Sequence, residues 1–344
     1  MNRKILILAD GQLGVFSAKT ATSVIRYRPK EVVAVLDREY AGRNTHQILG
    51  VPAAIPIVST VEAGLAFGPD TLLIGIAPPG GQLPQEWRDT LRACLTAGLT
   101  ILSGLHTFLD EDPELAALAR KHGARIVDLR RPPEDQPIAA MLARGTRALR
   151  VLTVGTDCNV GKMVAALELT ATAKERGIDA RFLATGQTGM LIAGGGVTLD
   201  RIPGDFMAGH VEKLVVEQGD AELAVVEGQG SLVHPAYSSV TVALLHGALP
   251  DAMILVHHAG RETVRFQDVK IPPLPEMIRR YEDALAPLHP SKVVGIAINP
   301  YGAHPEEAAD TIAWAEKDTG LPAVDVVANG AGRLLDAVLR VRRG

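Results

Sequence analysis

A glycine-rich segment that ends in a lysine is the part of the sequence best suited to hold phosphate. VGTDCNVGKMVAALEL spans residues 154–169, between an apolar run and a helix-like stretch. At such a junction, unpaired backbone N–H groups and the helix dipole attract an anion, and glycines let the backbone approach it. The segment predicts a phosphate-binding loop rather than a plain glycine turn. Its predicted cofactor-binding residues are Gly155, Thr156, Asp157, Cys158, Asn159, Val160, Gly161, Lys162 and Met163.

The loop lacks the hydroxyl that usually follows its lysine. In the common pattern a Ser or Thr at that point holds Mg²⁺, but Met163 and Val164 stand there. The loop amides and Lys162 can bind phosphate groups without a metal. The missing hydroxyl therefore tilts the choice away from phosphoryl transfer and toward a phosphate-bearing ligand that needs no metal site. ATP with Mg²⁺ stays open as the alternative, because Asp157 or Glu227 can hold a metal through water.

Candidate acid–base groups follow a second apolar run, in the stretch GQGSLVHPAYSS at 228–239. Ligands of open α/β sheets bind at the carboxyl ends of strands, so Glu227 and His234 are the candidate general bases. Together with Lys162 they are the predicted catalytic residues. Tyr237 and Ser238 are predicted to donate hydrogen bonds to the substrate. A loop histidine bonded to backbone is the alternative for His234, and a loop cap is the alternative for Glu227.

A third group of polar residues follows the run DAMILV. His257, His258 and Arg261 are suited to binding carboxylates, and Arg does so through two parallel hydrogen bonds. Adjacent residues on a strand point to opposite faces, which argues against one metal ion held by both histidines. TGQTG at 185–189 and the glycines at 194–196 predict a second ligand loop, and Arg201 after it is a predicted substrate contact.

Cys158 is a further candidate for chemistry. A thiol near a helix N-terminus tends to have a lowered pKa and can act as a nucleophile. Packing of a small residue under the loop is the other interpretation.

The elements that must position these residues alternate between strand and helix along the chain. Short apolar runs such as KILILAD and EVVAVLD end in glycine or aspartate, and helix-like stretches separate them. This alternation predicts two α/β domains with parallel sheets. The charged, proline-rich stretch RRPPEDQP at 130–137 marks the boundary, giving a Rossmann-like domain over 1–137 and a P-loop domain over 138–344.

Composition limits the classes of function. The 344 residues are 47% hydrophobic, carry a net charge of −4 and include 4% aromatics and two cysteines. The absence of a basic stripe argues against nucleic acid as a partner, and no apolar stretch is long enough to span a membrane. We expect a cytoplasmic enzyme of small-molecule substrates that forms a homo-oligomer.

Several motifs resemble known families. GTDCNVGK, VVEGQG and GIAIN are similar to segments of dethiobiotin synthetase and its relatives, which implies a P-loop fold with Glu227 near the phosphates. AKTATSVIRY, GIAPPGG, GLHTFL, GTDCNVGKM and EGQGSLVHPAYS resemble in order a two-domain family that was catalogued as a domain of unknown function. Its characterised members are D-glutamate N-acetyltransferases.

That second resemblance implies an acetyl-CoA-dependent N-acetyltransferase acting on an acidic D-amino acid, D-glutamate. An ATP- and Mg²⁺-dependent ligase or kinase like dethiobiotin synthetase is the alternative. The N-terminal turn ADGQLG keeps only part of the dinucleotide fingerprint, with Asp37 where a ribose-binding acid would stand. We expect a scaffold or acceptor-site domain there rather than an NAD site.

Overall fold

The computed structural model describes residues 3–15, 17–76 and 81–341. It divides the chain into two compact units. The first runs to Pro132 and includes Met190–Gly194, and the second takes the remaining residues from Pro133 onward. The glycine-rich turn predicted at Pro78–Gly81 falls mostly on residues 77–80, which lie outside the described residues.

The first unit is built on one parallel sheet. Its strands are β1 (Ile5–Leu8), β2 (Val32–Leu36), β3 (Ile57–Val58), β4 (Thr71–Ile74), β5 (Thr100–Ser103) and β6 (Ile126–Asp128). They lie in the order β3-β2-β1-β4-β5-β6, which is the doubly wound order of the Rossmann fold. The connecting helices are α1 (Lys19–Tyr27), α2 (Thr45–Leu49), α3 (Val61–Leu65), α4 (Arg88–Thr96) and α5 (Pro113–His122).

Asp37, the candidate ribose-binding acid of this unit, is wholly buried. Its carboxylate accepts hydrogen bonds from the backbone N–H groups of Leu13 at 3.2 Å, Glu39 at 3.0 Å and Tyr40 at 3.3 Å. These bonds tie the turn after β1 to the turn after β2, and they use the oxygens that a ribose would need. The arrangement gives Asp37 a structural role and favours a scaffold over an NAD site.

The second unit is built on another parallel sheet, in the order β12-β11-β10-β7-β9-β8. Its strands are β7 (Leu149–Gly155), β8 (Ala180–Leu183), β9 (Leu223–Val226), β10 (Ala252–His258), β11 (Lys292–Asn299) and β12 (Ala323–Val324). Its helices are α6 (Lys162–Glu175), α8 (Gly204–Glu217), α9 (Ser238–Ala248), α10 (Leu274–Leu285), α11 (Pro305–Thr319) and α12 (Gly332–Leu339). A short helix, α7 (Gln187–Ala193), begins in this unit.

Apolar side chains of the central strands point alternately to the two faces of this sheet, and both faces are buried. Val151 of β7 and Ile254 of β10 belong to one buried apolar cluster, while Leu152 and Leu255 belong to another. Successive side chains on a strand point to opposite faces, so two-sided burial requires continuous apolar runs. The predicted α/β class, with a Rossmann-like unit before a P-loop unit, is confirmed.

One local pattern differs from the structure. The apolar stretch AVDVVAN at 323–329 predicts a strand over its whole length, but β12 covers only Ala323–Val324. Asp325 ends it, because its carboxylate accepts from the backbone N–H groups of Val327 at 2.8 Å and Ala328 at 3.2 Å and so turns the chain.

Candidate active site

The predicted phosphate loop connects β7 to α6 at the centre of the second sheet. β7 lies between β10 and β9, where the chain changes direction across the sheet, and this is the usual ligand crevice of an open α/β fold. Gly161 has φ 108°, a conformation that favours glycine, and α6 begins at the next residue, Lys162. The backbone N–H groups at the start of α6 therefore face the loop.

The side chain of Lys162 folds back over the loop. Lys162 is 5% exposed, and its Nζ donates a 2.7 Å hydrogen bond to the carbonyl oxygen of Asp157. A Cβ added at Gly155 would lie 2.8 Å from that Nζ and 3.0 Å from the Asp157 carbonyl oxygen, so a larger residue would displace the ammonium group from this position. A cationic group, a glycine-lined loop and a helix start together fit a phosphate group.

Most side chains of the loop point away from any ligand. Thr156, Asp157, Val160 and Met163 are buried, so they can offer a ligand only their backbone groups. Met163 occupies the place of the usual magnesium-binding hydroxyl with an apolar, 2% exposed side chain. The first turn of α6 thus has no hydroxyl for a metal.

The side chain of Asp157 connects the loop to the segment after β10 through hydrogen bonds. It is fully buried, and its Oδ2 accepts from Nη1 of Arg261 at 3.0 Å and from the backbone N–H of Arg265 at 2.7 Å. Its Oδ1 accepts from the backbone N–H of Cys158 at 2.6 Å. Arg261 also donates to the carbonyl oxygen of Cys158 at 2.9 Å. The segment after β10 is therefore fastened to the phosphate loop by charge-assisted hydrogen bonds.

Cys158 is not an activated thiol in this arrangement. Burial raises its pKa, and the carboxylate of Asp157 adds to that effect more than Lys162 offsets it. Ligand atoms of Asp157, Cys158 and His234 lie within 4.8 Å of one another. The atoms of Asp157 and His234 already have hydrogen-bond partners, and the guanidinium of Arg261 stands beside them. A cation there would replace those bonds and meet a positive charge.

Glu227 lies directly after β9 and is 5% exposed. Its Oε2 accepts from the backbone N–H of Thr185 at 3.0 Å, while the Thr185 hydroxyl donates to the Glu227 carbonyl oxygen at 2.8 Å. A Cβ at Gly189 would lie 2.3 Å from Oε2, so the glycine of TGQTG allows this loop to close over the carboxylate. The structure thus brings Glu227 and the predicted second loop together.

Gly228 lets the chain that leaves β9 pass close to β7 and to the Lys162 side chain. A Cβ at this position would lie 1.5 Å from the carbonyl oxygen of Thr153 and 3.1 Å from Cδ of Lys162. The Gly228 N–H donates to the Thr153 hydroxyl at 2.9 Å. The residue that follows Glu227 therefore has no space for a side chain between β7 and Lys162.

His234 has backbone partners at both ring nitrogens. Its Nδ1 accepts from the N–H of Ala236 at 3.2 Å, so Nε2 carries the proton and donates to the carbonyl oxygen of Arg265 at 3.1 Å. The ring is 1% exposed and lies 4.5 Å from the ring of Tyr237, centroid to centroid. This geometry matches the backbone-bonded alternative. Tyr237 is 44% exposed beside it, and Ser238 starts α9.

Tyr281 of α10 was missed by sequence reasoning. Its hydroxyl is buried in the core, where it donates to the carbonyl oxygen of Gly155 at 2.7 Å. It also accepts from the N–H groups of Leu232 at 3.3 Å and Gly155 at 3.4 Å. One hydroxyl therefore holds the start of the phosphate loop and the segment that carries His234. Burial raises the pKa of Tyr281, so the phenol stays protonated and can donate.

The two histidines at the end of β10 are neutral at neutral pH. Burial lowers the pKa of His257 to about 4, with smaller contributions from His258 and Arg261, and burial also lowers the pKa of His258. Nδ1 of His257 lies 2.9 Å from the hydroxyl of Thr156, so His257 lies against the phosphate loop. Nδ1 of His258 lies 2.8 Å from the Ala259 carbonyl oxygen.

Arg201 is exposed at the end of a single 3₁₀ turn, Leu199–Arg201, that leads into α8. Asn299, at the end of β11, was noted in the sequence only as the last residue of a motif. Its Nδ2 would lie 3.4 Å from a Cβ at Gly161, so it closes the phosphate loop from the β11 side.

Known proteins share this sequence and fold. Residues 137–335 match a family model described as a domain of unknown function, DUF1611_C, a P-loop domain. Residues 38–132 match its N-terminal partner, DUF1611_N, described as a Rossmann-like domain. The crystal structure of a DUF1611 family protein from Anabaena variabilis superposes with a TM-score of 0.94 at 42% identity, covering 98% of this chain and all of that one.

Two curated relatives have names that state an activity. A D-glutamate N-acetyltransferase of Tritonibacter scottomollicae is 41% identical over 343 residues, 98% of each chain. A D-glutamate N-acetyltransferase of a Pseudoalteromonas species is 35% identical over 271 residues, 78% of this chain and 81% of the relative. With both of its domains matched in order, this chain belongs to the DUF1611 family.

Proposed function

We propose that this protein is an N-acetyltransferase that transfers the acetyl group of acetyl-CoA to the amine of D-glutamate, giving N-acetyl-D-glutamate. The observation that carries the proposal is the 41% identity, over 98% of both chains, to a relative named D-glutamate N-acetyltransferase. Because that match includes the phosphate loop, Glu227 and the segment after β10, it covers every part of the candidate site.

Acetyl-CoA, when bound, supplies the activated acetyl thioester. Its phosphates would be held by the loop amides from Gly155 to Lys162 and by the Lys162 ammonium. This contact needs no metal ion. The buried apolar side chain of Met163 supports this choice of ligand over ATP with Mg²⁺, because the hydroxyl that normally binds the ion is missing.

This assignment also favours direct transfer over an acetylated cysteine. Cys158 belongs to the loop that would hold the phosphates, and the pantetheine arm of coenzyme A separates its phosphates from its thioester. A thiol with a raised pKa at the phosphate end is poorly placed and poorly ionised for attack on the thioester. The amine of the acceptor is therefore the nucleophile that we assign.

Glu227 is the proposed general base. It is a buried carboxylate at the carboxyl end of β9, covered by the Thr185–Gly189 loop. The acceptor ammonium must lose a proton before it attacks the thioester, and a positioned carboxylate can accept it. The two ring nitrogens of His234 already bond backbone groups, so we assign His234 to positioning of the segment that carries it.

Arg261 is the proposed contact for a carboxylate of D-glutamate. Its Nη1 bonds Asp157 and the Cys158 carbonyl oxygen, and no other hydrogen bond of its guanidinium is seen within the described residues. A guanidinium has five N–H donors, so the remaining ones can bind a carboxylate while Asp157 fixes the plane of the group. Its side chain is 17% exposed, enough to meet a ligand.

The test is release of the coenzyme A thiol from acetyl-CoA, with EDTA present, against D-glutamate, L-glutamate and D-aspartate. We expect release with D-glutamate and much less with L-glutamate. Lys162→Ala should raise the KM for acetyl-CoA, while Lys174→Ala, which removes an equal charge from the exposed face of the same helix, should not. Absence of thiol release with every amino acid, together with Mg²⁺-dependent ADP formation from ATP, would overturn the proposal.

A further inference from the structure

The segment after β10 folds into a tight turn over residues 263–270, called here the 263–270 turn. Its two ends pair as an isolated antiparallel bridge. Val264 is 1% exposed and anchors the turn in the core of the second unit. The N–H of Gln267 donates to the Val264 carbonyl oxygen at 3.2 Å, which closes a four-residue turn with Arg265 and Phe266 at its centre.

The backbone of Arg265 is held against the phosphate loop and the segment after β9. Its N–H donates to Oδ2 of Asp157 at 2.7 Å, and its carbonyl oxygen accepts from Nε2 of His234 at 3.1 Å. Both partners are buried, so these bonds are shielded from water. The position of Arg265 beside the loop is therefore set before any ligand binds, and its side chain remains available to that ligand.

The guanidinium of Arg265 has neither a hydrogen bond nor an ion pair with any residue whose structure is described. It is partly exposed, and its Cζ lies 4.8 Å from the centroid of the Phe266 ring. Its charge acts on the phosphate loop, because Arg265 and Lys162 both counteract the burial that raises the pKa of Cys158. The loop thus has a second cation nearby whose N–H donors can bind phosphate.

Phe266 has a backbone conformation that its side chain disfavours. It is the third residue of the four-residue turn and has φ 66°, where glycine or asparagine is usual. The residue is 75% exposed, so packing in the core does not explain a phenylalanine at this position. A strained backbone that presents an exposed aromatic ring beside a guanidinium indicates a role in binding.

We propose that the 263–270 turn binds the nucleotide end of coenzyme A, with Arg265 donating hydrogen bonds to a phosphate and Phe266 stacking on the adenine ring. The inference rests on acetyl-CoA as the donor of the proposed function. That donor carries phosphates and a purine at one end, and the turn presents a guanidinium and an aromatic ring as neighbours beside the phosphate loop. Guanidinium groups bind phosphate through paired N–H donors, and aromatic side chains stack on bases.

The experiment is calorimetric titration with coenzyme A and, separately, with adenosine 3′,5′-bisphosphate, which lacks the pantetheine arm. Arg265→Ala should weaken both ligands about tenfold to a hundredfold, the effect of losing a charged hydrogen bond. Phe266→Gly should weaken both about fivefold or more, the effect of losing a base stack, while Phe266→Tyr keeps the ring and the affinity. Lys270→Ala is the matched control, since it removes an equal charge at the end of the same turn and should leave both affinities unchanged.

Thiol release separates this role from a role at the acceptor or in folding. Arg265→Ala and Phe266→Gly should raise the KM for acetyl-CoA and leave the KM for D-glutamate unchanged. Neither should alter the rate with acetylpantetheine, a donor without the nucleotide end. Phe266→Gly should leave the midpoint of urea unfolding unchanged or raise it, because glycine adopts a positive φ without strain. Weaker binding by this variant is then not a result of misfolding.

The outcomes distinguish this proposal from the proposed function. If the wild-type protein binds neither coenzyme A nor the bisphosphate, the donor and the role of the turn are both wrong. If it binds coenzyme A and both variants bind it as tightly, only the role of the turn is overturned. An equal loss of rate with acetylpantetheine and acetyl-CoA would also overturn that role. Absence of transfer to D-glutamate would refute the acceptor, and the titrations would still decide on the turn.

Discussion

Tyr281→Phe removes a single oxygen atom from the core of the second unit. That hydroxyl donates to the Gly155 carbonyl oxygen at 2.7 Å and accepts two longer bonds, from Leu232 at 3.3 Å and Gly155 at 3.4 Å. One short hydrogen bond and two weak ones are lost, and buried backbone groups stay without a partner. We expect the free energy of unfolding to fall by about 1–3 kcal/mol.

The same change loosens the start of the phosphate loop. If about half of the lost energy positions the loop for its ligand, the KM for acetyl-CoA rises about twofold to tenfold, at about 1.4 kcal/mol for each factor of ten. The value of kcat should change less, because the hydroxyl touches no reacting atom. If Tyr281 had only a structural role, Tyr281→Phe would lower stability without changing KM more than kcat.

The assays are urea unfolding followed by circular dichroism, and thiol release at varied acetyl-CoA. Tyr40→Phe is the matched control, because the Tyr40 hydroxyl makes no hydrogen bond within the ranges that the structure describes. Equal unfolding free energies for the two variants would refute the reasoning about stability. An unchanged KM with a reduced kcat for Tyr281→Phe would refute the role in positioning the loop.

Three other changes test separate parts of the site. Gly228→Ala places a Cβ 1.5 Å from the Thr153 carbonyl oxygen and should cost about 3 kcal/mol in urea unfolding. Gly145→Ala is the control, because a Cβ there meets nothing within 4 Å, and it should lower the free energy of unfolding far less. Equal losses would contradict the close approach of Gly228 to β7. His257 has its pKa lowered from 6.5 to about 4 in the folded protein, so below about pH 6.5 only the unfolded chain gains this proton. Stability should then fall as the pH drops from about 6.5 to about 4, by at most about 3.5 kcal/mol at about 1.4 kcal/mol per pKa unit. His257→Gln should flatten this part of the pH profile, and an unchanged profile would show that other groups cause it. Arg261→Ala should raise the KM for D-glutamate about tenfold to a hundredfold, since a charged hydrogen bond contributes about 1.5–3 kcal/mol. Arg261→Lys keeps the positive charge and should raise this KM less. An unchanged KM would remove this arginine from the acceptor site.

The candidate site was only partly visible in the sequence. Glycines and a lysine at close spacing predict a phosphate loop, because the geometry of a strand–loop–helix junction is local. Tyr281 gives no such signal: it lies 126 positions after the glycine that it bonds, within an amphipathic helix where a buried tyrosine is ordinary core. His234 offers a further example, since only the fold shows that both of its ring nitrogens have backbone partners.

The sequence by itself determined the class of the protein and the place of its phosphate loop. Apolar runs that alternate with amphipathic helices require parallel sheets, and both of these patterns are read over a few neighbouring residues. The tertiary structure alone decided which distant side chains share that loop. Arg261 meets Asp157 across 104 positions because parallel β7 and β10 bring their carboxyl ends together. The same pairing brings their amino ends together around the buried ion pair of Arg150 and Asp251. Contacts of this kind depend on strand order, which hydrophobic periodicity does not specify.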